Sequence, residues 1–182
     1  MPAYIETFNW FVGAGVVVMQ LAVVLLAGNL LFFRTHTNPI LLFFNKYTFI
    51  LGFLVGLGSM ALSLFYSSVI GFPPCELCWV QRIFLYPQAI LFGMELWKRD
   101  RTIINHSLAL AFIGSLVSLF HIYVENGGAS SLACATGTAS EVSCAIRYVY
   151  QFSYVTIPVM ALTASVFIIF LLVNYRYISR AR

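Results

Sequence analysis

Apolar residues run in five long blocks along this chain, and polar residues gather in the gaps between them. The blocks cover Trp10–Phe33, Tyr47–Ile70, Trp79–Trp97, Ile103–Tyr123 and Phe152–Tyr175. A helix needs about 20 apolar residues to cross a hydrocarbon core, and all five approach or exceed that. The third block is the most interrupted, by Arg82, Pro87 and Gln88. At about 1.5 Å per residue it still reaches roughly 28 Å. Pro87 and Pro158 fall inside predicted helices, where a neighbouring helix can satisfy the freed carbonyl. The leader Met1–Asn9 carries Glu6 and no Lys or Arg. The apolar run after it exceeds the usual core of about 7–15 residues in a signal peptide. The first block is therefore read as a retained helix.

Composition turns this pattern into a class. The chain of 182 residues is 61% hydrophobic and 9% charged, against roughly 25% charged in an average soluble domain. So much apolar surface cannot be hidden from water at this length. The expectation is an all-α integral membrane protein, a single membrane domain over residues 1–182. The net charge of +4 is small, and no nucleic-acid partner is expected.

Charge distribution sets the orientation. Arg34 and Lys46, then Lys98, Arg99 and Arg101, then Arg176, Arg180 and Arg182 fall on one side of a five-span arrangement. Arg82 and Arg147 fall on the other, with Glu6, Glu76, Glu125 and Glu141. Basic loops stay cytoplasmic, so the expected topology is N-terminus outside and C-terminus in the cytoplasm of a cell membrane.

All four cysteines then lie on the outer, oxidising side, where disulfides persist. Cys75 and Cys78 sit in an outer loop over residues 71–78, and Cys134 and Cys144 in a second over 124–150. The run Asn126-Gly127-Gly128-Ala129-Ser130-Ser131 predicts mobility in that second loop, so a cysteine pair there can swing between partners. Pro73 and Pro74 cannot extend a preceding helix but suit the approach to a new one. A helix starting near Cys75–Cys78 favours a thiolate at its N-terminus, where thiol pKa values fall from about 8.5 to as low as 3.5. Arg82 follows Cys78 by four residues, on the same helical face, and can stabilise that thiolate together with an oxygen of a bound carrier. His121, at the outer end of the fourth block, can hydrogen-bond a carrier's carbonyl or relay its protons.

Other readings of these residues exist. Four cysteines form a zinc-type set, although nine residues separate Cys134 from Cys144. Two structural staples are another, but closing so short a loop as Cys75–Cys78 restricts the unfolded chain little. Arg82 can act as a snorkelling anchor, Arg147 as a solvated loop charge or a neighbour of the Cys144 thiol, and His121 as a structural residue. Trp79, Trp97, Tyr123 and Tyr150 read as interface aromatics, with Trp79 able to flank a carrier pocket.

The run Cys75-Glu76-Leu77-Cys78-Trp79-Val80-Gln81-Arg82-Ile83-Phe84-Leu85-Tyr86-Pro87 resembles the signature of the disulfide bond formation protein B family, in its BdbC-like branch. The later Cys134/Cys144 pair with Val155-Thr156-Ile157-Pro158 resembles the same branch, and the likeness covers roughly Tyr47 to Tyr175. It implies a four-helix transmembrane bundle around a membrane quinone, ubiquinone or menaquinone, here with one extra N-terminal transmembrane helix. By the same resemblance, Cys75 and Cys78 are the quinone-linked pair, with Cys78 beside the ring, and Arg82 and His121 belong to the quinone site. Cys134 and Cys144 are implied to exchange with a soluble thioredoxin-like thiol oxidase on the outer side. Cys134 would take the mixed disulfide and Cys144 would pass electrons to Cys75. The Cys134–Cys144 spacing is shorter than in the best-known members. The function expected is a quinone-dependent membrane thiol oxidase; the alternative is a metal-binding or structural multi-span protein with four outer-face cysteines. Delivery of reducing equivalents outward would place cysteines within the bilayer instead.

Overall fold

A computed structural model describes residues 3–32, 38–98, 102–128 and 143–180. Five helices form: α1 over Ala3–Phe32, α2 over Pro39–Leu64, α3 over Glu76–Lys98, α4 over Ile103–Glu125 and α5 over Ile157–Arg180. Four of them are long and apolar enough to cross a membrane: Tyr4–Leu31, Pro39–Val69, Ile103–Glu125 and Ile157–Arg180. The more polar α3 packs among them at 23 residues, a length of roughly 34 Å at about 1.5 Å per residue. This is a multi-pass, all-helical membrane protein.

The packing closes a ring, α2 on α3, α3 on α4, α4 on α5 and α5 back on α2, with α1 laid outside against α5 and α2. Lipid supplies no hydrophobic drive between helices, so small residues and polar pairs set the contacts. Gly56 of α2 lies so close to α3 that a Cβ there would come 2.7 Å from the Ala89 backbone nitrogen. Gln88 of α3 donates to the Ser107 carbonyl of α4 at 3.0 Å, and Asn174 of α5 donates to the Leu41 carbonyl at 3.0 Å. Apolar cores lie around Leu26, Leu41, Phe167 and Leu171, and around Phe92, Ile104, Ile168 and Leu172.

Several boundaries differ from those the apolar blocks suggest. The second helix begins at Pro39, capped by the Asn38 side chain accepting from the Ile40 N–H at 3.0 Å. It ends in a π-helical turn, Phe65–Val69. The fifth begins at Ile157 rather than Phe152, because Phe152 and Ser153 take positive φ and Gln151 bridges Val155 in a tight turn. Pro158 consequently stands in the first turn of α5, where no intrahelical donor is lost, and not in a helix interior.

The C-terminal ends of α2 and α4 and the N-terminal ends of α1, α3 and α5 share one end of the bundle. Cys75, Cys78 and Cys144 lie there, while Lys46, Lys98, Arg176 and Arg180 lie toward the other.

Candidate redox centre

Gly71, at φ +83°, turns the chain out of α2, and Phe72-Pro73-Pro74 leads without helix to Cys75. Phe72 is held by stacking on Tyr66 at 6.0 Å and on Tyr148 at 4.8 Å between centroids. The Cys75 carbonyl then accepts from the Trp79 N–H at 3.2 Å. Cys75 thus occupies the N-cap of α3, and its sulfur lies 3.4 Å from the Cys78 N–H, which donates to it. One helical turn brings the two sulfurs to 2.9 Å, with the Cys75 thiol donating to Cys78. Both are free thiols.

This geometry divides the pair. Cys78, in the opening turn ahead of the Trp79–Trp97 span, is brought down from 9.0 to about 7. The hydrogen bond from Cys75 is the main cause and the Arg82 charge adds to it, while burial and Glu125 oppose. The Cys75 thiol is pushed up, chiefly because it is the donor to Cys78 and then by burial. His121 beside the Cys75 sulfur pulls the other way without reversing this. Cys78 is the thiolate of the pair.

Arg82 is fixed by α2. Its Nε donates to Ser63 Oγ at 3.0 Å, one Nη donates to the Ser63 carbonyl at 3.2 Å, and its guanidinium stacks 4.8 Å over the Trp79 ring. His121 is 3% exposed and sets Nε2 3.7 Å from the Cys75 sulfur. His121 meets the outer cysteine of the motif, while Arg82 and Cys78 share the walls of both cavities described below.

Cys144 is buried and disulfide-bonded. The ligand atoms of Cys75, His121 and Cys144 all lie within 4.8 Å of one another. Metal ligation requires thiolates, so this trio becomes a complete donor set only when Cys144 is reduced. Cys134 lies outside the described residues, with the rest of 129–142. Arg147 donates to Asn126 Oδ1 at 2.8 Å and to the Glu125 carbonyl at 3.4 Å. It fastens the loop to the end of α4.

Two cavities meet at the cysteines. One is walled by Cys75, Cys78, Arg82, His121, Glu125 and Cys144 among others. The second runs deeper between helices past Leu62, Leu85, Met160 and Ala161. They share Ser63, Tyr66, Cys78, Arg82 and Ile157 as walls.

Glu125 is a member of this centre that sequence reasoning passed over. It is 8% exposed, and its Oε2 accepts from Thr156 Oγ1 at 2.8 Å. Its one available signal was spacing, because it follows His121 by four residues and so shares its helix face. Ser63 and Tyr66 carried no signal, being a serine and a tyrosine in an apolar run.

The family model described as "Disulfide bond formation protein DsbB" matches residues 45–174. A "Probable disulfide formation protein C 1" of Bacillus cereus is 42% identical over 100 residues, covering 55% of this chain and 70% of that one. A "Disulfide bond formation protein C" of Bacillus subtilis is 36% identical over 118 residues, covering 63% and 82%. The "SPbeta prophage-derived disulfide bond formation protein B" of Bacillus subtilis is 38% identical over 117 residues, covering 64% and 76%. No solved structure matches significantly.

Proposed function

The chain belongs to the DsbB family of disulfide bond formation proteins, and from that premise we propose that it oxidises a soluble thioredoxin-like partner and delivers the electrons to membrane quinone. At the coarser level it is a membrane oxidoreductase that generates disulfides. The observation that carries the finer reading is the position of the Cys75 sulfur, 2.9 Å from Cys78 and within 4.8 Å of Cys144.

The partner's thiolate attacks the loop disulfide, with Cys134 taking the mixed disulfide; closure of the partner's own disulfide leaves two electrons and two protons on Cys134 and Cys144. Cys144 then attacks Cys75 of an oxidised Cys75–Cys78 pair and releases the Cys78 thiolate, and Cys134 attacks Cys144 to re-form the loop disulfide and free Cys75, so that both electrons have moved inward. His121, at Cys75, takes the proton that this thiol must lose, and Glu125 lies one turn further along the same face. The Cys75 and Cys78 thiols finally close as a disulfide and release two electrons and two protons. A bound quinone supplies the acceptor for both. A partner of this class stands near −120 mV, so only a strong acceptor restores it.

The residues present suit such a carrier. The deeper cavity is mostly apolar, with Ser59, Ser63, Gln81 and two tyrosines among its walls, and has one guanidinium and one thiolate-forming sulfur. Arg82 would hold a quinone oxygen, and Ser63 keeps the guanidinium oriented for it. Basic residues at the opposite end of the bundle support a cysteine face directed outward, with the N-terminus outside and the C-terminus in the cytoplasm. The test is quinone reduction by purified protein with a reduced thioredoxin-like dithiol, comparing wild type with Cys78→Ser. Turnover should disappear in the variant; turnover that survives it would exclude Cys78 as the electron donor.

A further inference from the structure

Helix α1 lies outside the residues shared with the family, 45–174, and the ring α2–α5 closes without it. It is nonetheless docked by specific polar bonds. Tyr66, in the π turn of α2, donates its hydroxyl to Asn9 Oδ1 at 2.8 Å in a buried contact. Gln20 Nε2 donates to Thr163 Oγ1 of α5 at 3.1 Å, and Gln20 Oε1 accepts from the Tyr154 hydroxyl at 2.7 Å. Gly13, between these tethers, packs on the Phe152 ring so closely that a Cβ would approach it to 3.0 Å. Positions 9, 13, 16 and 20 recur with helical spacing, so one face of α1 is committed to the bundle.

Val16 and Met19, between the two tethers, line the deeper cavity together with Cys78, Arg82, Tyr86 and Met160. Val16 is buried. The other walls come from α2, α3 and α5. Val16 and Met19 are the contribution of α1 to this lining. The tethers hold two apolar side chains of fixed size in it.

We propose that α1 is the fourth wall of the carrier site and that Val16 and Met19 set which quinone ring it accepts. This rests on the quinone reading above and assigns a role to the helix that the family match leaves out. One added or missing methylene in an apolar pocket changes discrimination about 10-fold or more. Changes at these two positions should therefore be read directly in ring selectivity.

The experiment uses the full chain in detergent with two probes, decyl-ubiquinone and 2,3-dimethyl-1,4-naphthoquinone. Affinity is measured by tryptophan-fluorescence quenching in a Cys75→Ser/Cys78→Ser background, so that binding is scored without turnover. KM is measured with the cysteines intact. Val16→Phe, which adds volume, should weaken binding of the bicyclic probe about tenfold more than that of decyl-ubiquinone and raise its KM in the same proportion. Exchange between the loop disulfide and a reduced dithiol should stay at the wild-type rate. Met19→Ala, which only removes volume, should shift the affinity ratio toward the bicyclic probe. Wild-type affinity and KM for both probes in both variants would overturn the assignment of α1 while leaving the carrier site standing. Failure of the wild-type chain to bind either probe would overturn the carrier reading and this inference with it.

Discussion

Replacing Cys75 with alanine removes the hydrogen bond that does most to hold Cys78 down. The Cys78 thiol lies at about 7 instead of 9.0, a difference of roughly 3 kcal/mol between its two protonation states at ~1.36 kcal/mol per unit. Because the folded value is the lower one, the thiolate and the stability it contributes are fully present above about pH 9. Both are lost as pH falls through about 7. In Cys75→Ala the burial that opposes ionisation stays, so the midpoint should climb back toward the ordinary 9.0. At pH 7 the thiolate fraction then falls from about a half to about one in a hundred. Intrinsic nucleophilicity rises with pKa at a Brønsted slope of about 0.4–0.5, so the net loss in alkylation rate is about five- to eightfold. The assay is the pH profile of Cys78 alkylation by iodoacetamide, read by mass spectrometry with the Cys144 disulfide left intact. Arg82→Ala, run beside it, should move the midpoint less, since the Arg82 charge is a smaller contribution than the bond from Cys75. A midpoint unmoved in Cys75→Ala but raised in Arg82→Ala would refute the argument and make the arginine the controlling group.

Arg82→Ala should lower quinone turnover about 10-fold to 100-fold, the weight of a hydrogen bond to a charged group, while exchange with the soluble dithiol changes little; equal loss in both steady-state and exchange assays would sink that division of labour. Gly56→Val, which drives a side chain into the Ala89 backbone, should cost about 1–3 kcal/mol by overpacking, visible as a lower Tm in detergent; an unchanged Tm would mean that α2 and α3 separate freely. Thr156→Val strips the Glu125 carboxylate of its hydroxyl donor and should cost about 1–3 kcal/mol in thermal unfolding, and an isosteric change without effect would mean that another donor replaces the threonine.

Much of the architecture was legible because lipid forces apolar blocks to be helices. Five blocks gave five helices, and the prolines before Cys75 marked the start of α3. The errors came where local chemistry overrode the pattern. Phe152-Ser153-Tyr154-Val155 reads as the head of an apolar helix, yet two residues of positive φ and the Gln151–Val155 bridge make it a turn. The π turn at Phe65–Val69 leaves no mark in a run of apolar and small residues, although it presents Tyr66 to Asn9. In the site, the spacing of Cys78 and Arg82 put both on one face, but it could not show that Ser63 holds the guanidinium. Nor could it show that Cys75 contributes more than Arg82 to the thiolate. His121 was identifiable as an outer-end histidine, but its approach to Cys75 depends on how α3 and α4 pack. That contact is tertiary, and no periodicity in either helix encodes it.

The claim at the centre of this account is that two electrons leave a protein dithiol, cross Cys144, Cys75 and Cys78, and reach a quinone. An anaerobic single-turnover experiment tests it most directly: one equivalent of a reduced thioredoxin-like dithiol is mixed with oxidised protein and decyl-ubiquinone, and disulfide formed and quinol formed are counted together. The account predicts one quinol for each dithiol oxidised, with none in Cys78→Ser. Dithiol oxidised with no quinol produced would contradict it.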